Sequence, residues 1–228
     1  SNLHVRGLSD LDIEQGHFRT LPGQGRAAIA KLIVDDIGEE AAKRLPGLHI
    51  KHVSATRGRW WWSLGGHAGM VVPCMDVNGR IVALKVRADD PNAPRYTYLS
   101  SSSHYGPSAR QVVHVPPGER RLERVRVTEG ELKAHVCTVL SGVFTVGVPG
   151  VGAWRMALPA LSSLGARRVC LAFDADFAEK PAVERALFEL WRELRAADYS
   201  VRVEVWDPTL GKGLDDVLVR ETRTQEAA

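Results

Sequence analysis

Apolar positions along the first 121 residues pass from helical to strand-like spacing, and beyond them the two spacings alternate. "SDLDIEQGHF" (9–18) predicts a short helix capped by Ser9, and "GRAAIAKLIVDDIGEEAAKRLPG" (25–47) a longer helix broken near Gly38 and stopped at Pro46-Gly47. "RWWWSL" (59–64), "GMVVPCMD" (69–76) and "RIVALKVR" (80–87) are short β-rich runs, the last two joined by "DVNGR", whose Asn78-Gly79 is a hairpin signal. "RYTYLSS" (95–101) predicts one more strand. From there the pattern predicts strand 124–128, helix 131–139, strand 143–147, helix 155–164, strand 168–173, helix 179–197, strand 200–206 and a short helix from 214. Alternation of this kind is the mark of a parallel sheet with helices on its faces. The expected architecture is α/β: a smaller mixed α+β subdomain over 1–121, a parallel-sheet domain over 122–220, and a frayed tail over 221–228.

Charge refines this division. The 228 residues carry a net charge of +3, but residues 1–125 hold 17 Lys/Arg against 12 Asp/Glu, and the remainder 13 against 15. Arginine supplies 23 of the 30 basic residues, and its planar fork suits phosphate. The first half is therefore the expected nucleic-acid-facing part. No apolar run approaches the roughly 20 residues of a membrane span, so no membrane partner and a cytoplasmic location are expected. Cys74, Cys137 and Cys170 are widely spaced in apolar surroundings, which predicts reduced core thiols and excludes a CxxC zinc site within these residues.

Candidate chemistry lies where strands end. In open parallel sheets, ligands gather beyond the carboxyl ends of the strands. Asp174 and Asp176 follow the run "RRVCLAF", Glu129 ends "VRVTE", and "GKGLDD" places Lys212 in a Gly-rich loop before Asp215 and Asp216. Any one of these acids could cap a helix. Several converging on one edge repel unless protonated or bridged by a cation, and an all-oxygen set selects Mg²⁺ or Mn²⁺. If the strand continues past Phe173, alternation sends Asp174 and Asp176 to the same side.

"TEGELKA" (128–134), "VGVPGVGAW" (146–154), "AFDAD" (172–176) and "GKGLDD" (211–216), in this order and spacing, resemble the toprim domain shared by bacterial-type primases, topoisomerases and some nucleases. The stretch 69–101, with its D-x-x-G-R-I turn and Arg95-Tyr96 segment, resembles the one preceding toprim in bacterial-type primases; primase-like toprim proteins of plasmids and phages are the nearer likeness. The resemblance implies a Rossmann-like parallel sheet, a catalytic Glu129, and Asp174 and Asp176 as a metal-binding pair, with Asp215 and Asp216 alongside. It further implies template contacts at Arg80, Lys85, Arg87 and Arg95, of which Lys85 and Arg87 are expected to point away from the core. Lys133 stands where replicative primases usually carry an Asp, so it and Lys212 become candidate phosphate contacts. Trp60 and Trp62 are candidates for base stacking, although at least one tryptophan of the triplet should be core. The implied activity is primer synthesis on single-stranded DNA from nucleoside triphosphates with Mg²⁺ or Mn²⁺, with a replicative helicase as a candidate partner. Two alternatives stay open: a toprim-type metal-dependent nuclease, and a catalytically degenerate nucleic-acid-binding module of a larger replication protein.

Overall fold

The computed structural model describes residues 2–52, 58–118 and 122–226. In chain order its elements are α1 (Asn2–Val5), α2 (Asp10–Gln15), β1 (Arg19–Leu21), α3 (Arg26–Ile37), α4 (Glu39–Ala42), β2 (Leu48–His52), β3 (Trp60–Leu64), β4 (Gly69–Met75), β5 (Ile81–Ala88) and β6 (Tyr96–Tyr98). There follow β7 (Arg124–Glu129), α5 (Glu131–Ser141), β8 (Thr145–Val148), α6 (Ala157–Ser163), β9 (Arg168–Leu171), α7 (Pro181–Ala196), β10 (Ser200–Val203) and α8 (Leu214–Glu226). Among the described residues, no helix is long and apolar enough to cross a membrane.

The chain forms two compact units, and their border is not a single cut after residue 121. One unit comprises residues 1–17, 74–82 and 112–228, the other 18–73 and 83–111. The expected border itself falls on residues 119–121, outside the described ones. The tail also differs from expectation: 221–226 continue α8, with the Arg223 guanidinium donating to the Val5 carbonyl at 2.7 Å.

The first unit is built on a four-stranded parallel sheet in the order β10-β9-β7-β8. Strict alternation divides its faces. Val125, Val127, Val169, Leu171 and Phe173 join one buried cluster with Leu161 of α6 and Leu187, Leu190 and Leu194 of α7. On the other face Ala172 packs with Cys137 of α5 and Leu214 of α8. Helices therefore flank both faces, as the alternating pattern predicts. Two glycines allow the close fit of β7, α5 and β8. Gly130 turns the chain from β7 into α5 at φ +92°, and a Cβ on Gly147 of β8 would come within 2.6 Å of the Gly130 carbonyl oxygen.

The second unit holds most of an antiparallel sheet, β1-β4-β5-β6, and the two-stranded β2–β3 ribbon. Ala30 and Val34 of α3 pack on Leu48, Trp62 and Leu64 of the ribbon. The predicted helix break is present, since Gly38 at φ +80° separates α3 from α4. In the first unit, Ser9 caps α2 through a reciprocal box with Asp12.

Candidate functional site

Strand register places the acids. Val127 of β7 lies level with Leu171 of β9, which sets Glu129 level with Phe173, one residue before Asp174. The Thr128 hydroxyl donates to the Ala172 carbonyl at 2.7 Å, tying the two strand ends together. The alternation expected to align Asp174 with Asp176 does not extend that far, because β9 stops at Leu171 and residues 175–179 form a 3₁₀ turn. A side chain restores the convergence: Lys212 Nζ lies 3.5 Å from Asp174 and 3.6 Å from Asp176. The Lys212 carbonyl also accepts from the Ala175 amide at 2.9 Å.

Lysines balance these carboxylates. Lys133, one turn into α5, forms an ion pair with Asp174, both side chains less than a fifth exposed. Lys180 donates to Asp176 at 2.5 Å, and this bond, joined by Lys212, holds the Asp176 carboxyl below its usual range. Burial raises Glu129 above the ordinary carboxyl value; Lys133 pulls it back, and Asp174 pushes it further up. For Lys133 burial acts downward, but Asp174, Asp215 and Glu129 together hold its ammonium above the usual value. Glu129 and Asp174 thus both act on the charge of the same cation.

Asp215 and Asp216, expected among the metal donors, are engaged otherwise. Asp215 is buried, pairs with Arg6 at 2.6 Å, and is raised chiefly by burial, against which Lys133 and Arg6 act. Asp216 accepts from the Gly213 amide at 3.0 Å and so closes the first turn of α8. Among the described residues, no group of three or more His, Cys, Asp or Glu side chains is arranged to hold a metal ion. By donor chemistry the residues that suit Mg²⁺ or Mn²⁺ are Glu129, Asp174 and Asp176, whose charges Lys133, Lys180 and Lys212 now offset.

Lys180 and Arg6 were absent from the expected site. Lys180 stands four residues after Asp176, a spacing the sequence displays. Arg6 reaches Asp215 across 209 residues, and no local pattern signals that.

The expected template residues divide. Arg80 is exposed but held by Asp76 through two bonds of 2.7 and 2.9 Å within the β4–β5 turn. Lys85 is buried, not solvent-facing, with its ammonium 4.7 Å from the centre of the Tyr98 ring opposite it on β6. Arg87 is half-buried. Arg95 is exposed and lies 5.9 Å from the Tyr96 ring centre. Trp62 belongs to the core of its unit and offers no stacking face, whereas Trp60 is 50% exposed.

A family model described as a domain of unknown function, DUF3854, matches residues 122–225, less than half of the chain. No curated protein matches the sequence. Among solved structures, the Aquifex aeolicus primase (zinc-binding and RNA polymerase domains) is similar over 99% of this chain at 16% identity and a TM-score of 0.64. The chain spans only 53% of that structure, about half its length. A DNA primase domain from Pseudomonas aeruginosa gives 18% identity and a TM-score of 0.67 over 99% of this chain and 68% of its own. The DnaG primase catalytic domain bound to single-stranded DNA gives 17% and 0.60, over 99% and 68%. The chain resembles bacterial-type primase catalytic cores, and it has their fold.

Proposed function

We propose that this chain is a primase-like nucleotidyltransferase core that joins nucleoside triphosphates into short oligonucleotides on single-stranded DNA. The observation that carries the proposal is the meeting of Glu129, Asp174 and Asp176 with Lys133 and Lys212 at the carboxyl ends of β7 and β9. In the reaction, a 3′-oxygen bonds to an α-phosphorus, the bond from that phosphorus to the bridging oxygen breaks, pyrophosphate leaves, and the hydroxyl proton passes to a base.

Glu129, Asp174 and Asp176 would hold Mg²⁺ or Mn²⁺, which when bound neutralises charge on the reacting phosphates. Glu129 has its proton affinity raised by burial, which suits it to take the hydroxyl proton. Lys212 and Lys180 have 58% and 47% of their side chains exposed, so they can leave the carboxylates for incoming phosphate at small cost. Lys133, held in the interior on Asp174, keeps the acid cluster compensated while they do so. Arg95 with Tyr96, and Trp60, supply exposed cationic and aromatic surface for template in the other unit. A replicative helicase would be a partner in such a role.

One observation favours a second possibility, a nucleic-acid-binding module without catalysis: Lys133 already occupies Asp174. A single assay separates them. Single-stranded DNA, labelled nucleoside triphosphates and Mg²⁺ or Mn²⁺ should yield template-dependent oligomers that vanish in Asp174→Ala. Shortened DNA would show a nuclease instead. DNA binding with neither product, even with dinucleotide starters, would show the module.

A further inference from the structure

The end of the parallel sheet opposite the carboxylates carries a second concentration of charge, of the other sign. Arg124 and Arg168 are directly paired in register on β7 and β9, and Arg202 lies one strand further along, on β10. By alternation all three stand on the face shared by Arg126, Cys170 and Ser200. α5 ends here, where Ser141 accepts from the Arg126 guanidinium at 2.8 Å, and beyond that point the face is open. Arg124, Arg168, Cys170, Ser200 and Arg202 line a groove of about 210 Å³.

Like charges directly opposite on adjacent strands are unfavourable, and little nearby relieves them. Glu204 is consumed by buried Arg126, which binds it through two bonds of 2.7 and 3.2 Å, and it also accepts from the Cys170 thiol. Glu123 reaches Arg168 at 3.1 Å, but both side chains are more than 60% exposed, a pairing of small worth. Arg124 and Arg202 have no ion pair among the described residues. Three arginines and a Ser hydroxyl therefore line one groove with two positive charges uncompensated, a donor set suited to phosphate oxygens.

The geometry points to a second anion site on this unit, one that takes the polyphosphate group of a nucleotide and is separate from the carboxylate end of the sheet. Size and spacing select that class. Glu129 lies five residues along β7 from Arg124, about 16 Å at roughly 3.3 Å per residue, so one compact ligand cannot occupy both ends. Within the groove, β7 and β9 bring Arg124 and Arg168 to about 4.8 Å apart, and Arg202, level with Cys170, stands one strand over and two residues along from Arg168. Linked phosphates match so dense an array. Carboxylates on one face of an extended peptide fall about 6.6 Å apart, and a nucleic-acid strand carries only one charge per nucleotide.

Inorganic triphosphate is the probe, titrated calorimetrically without metal into the whole chain, into Arg168→Ser/Arg202→Ser and into Lys180→Ala/Lys212→Ala. These are exposed side chains, and melting temperatures should confirm that each variant folds. The expected result is triphosphate binding that survives the lysine changes and weakens at least tenfold in the arginine variant. Absence of triphosphate binding, or binding lost only with the lysines, would overturn the proposal. So would an arginine variant that loses affinity for single-stranded DNA while holding triphosphate as before, since the face would then belong to a strand. Because the readout is binding, it stands or falls independently of primer synthesis.

Discussion

Replacing Lys133 by Met removes a largely buried cation whose charge Glu129, Asp174 and Asp215 share. Two unit charges 4 Å apart interact by about 4 kcal/mol at an effective dielectric of about 20, and breaking a buried pair by deleting one partner costs about 3–5 kcal/mol. Lys133 and Asp174 retain 18% and 17% side-chain exposure, which lets some solvent in. We therefore expect a loss of about 2–3 kcal/mol at neutral pH, a fall in melting temperature of about 5–10 °C for a chain of this size. The pH dependence has a definite sign. Lys133 is held above the ordinary lysine value, so its own contribution is full and constant below about pH 10. Glu129 and Asp215 are raised by burial. Each binds its proton more tightly folded than unfolded, so its ionisation weakens the fold as pH rises from the unfolded carboxyl value of about 4 through the higher folded one. Lys133 is the strongest of the neighbouring charges that limit this penalty at both groups. The deficit of Lys133→Met should therefore widen between pH 4 and pH 8 when melting is followed by circular dichroism. Adding Asp174→Asn should recover part of it, since removing both partners leaves less uncompensated charge. A deficit equal at both pH values, or none at all, would refute the assignment of Lys133 as the internal counter-charge.

The tryptophan triplet provides a contrast between neighbours: in urea denaturation Trp62→Ala should cost about 3–5 kcal/mol, and Trp60→Ala less than about 1 kcal/mol, because only Trp62 is core. Cys137 and Cys170 are buried, and burial pushes the Cys137 thiol up to about 12 and that of Cys170 up to about 11. A thiol reagent at pH 8 should therefore label neither until the chain is unfolded; rapid native labelling at either would contradict their burial. Gly147→Ala should destabilise by about 1–3 kcal/mol, because its Cβ would drive into the Gly130 carbonyl and displace the turn after Glu129. If Gly147→Ala melts as the unaltered chain does, the close approach of α5 to β8 is not required.

Local physics made much of the fold legible in the sequence. Alternation and helical spacing are properties of consecutive residues, so the elements that form the parallel sheet and its helices could be read with ends shifted by a few positions. Short elements could not. β1 spans three residues and β2 is half polar, so neither shows a period long enough to recognise. The strand expected to reach Phe173 ends at Leu171, since Asp174 begins a 3₁₀ turn that no periodicity announces.

The site divides in the same way. That Glu129, Asp174 and Asp176 follow strand ends is written in the chain. What neutralises them is not: Lys133 meeting Asp174 and Lys212 bridging both aspartates depend on register between β7 and β9 and on the loop before α8. Burial likewise reversed the expectation for Lys85, whose place on β5 turns it onto Tyr98. Residues 1–17 and 74–82 join the unit bearing the carboxylates through contacts such as Arg6 with Asp215. Sequence by itself determined which residues could form helices, strands and oxygen donors, because those depend on near neighbours. Only the tertiary structure decided which charges are paired, buried or left open, because that depends on groups brought together from distant parts of the chain.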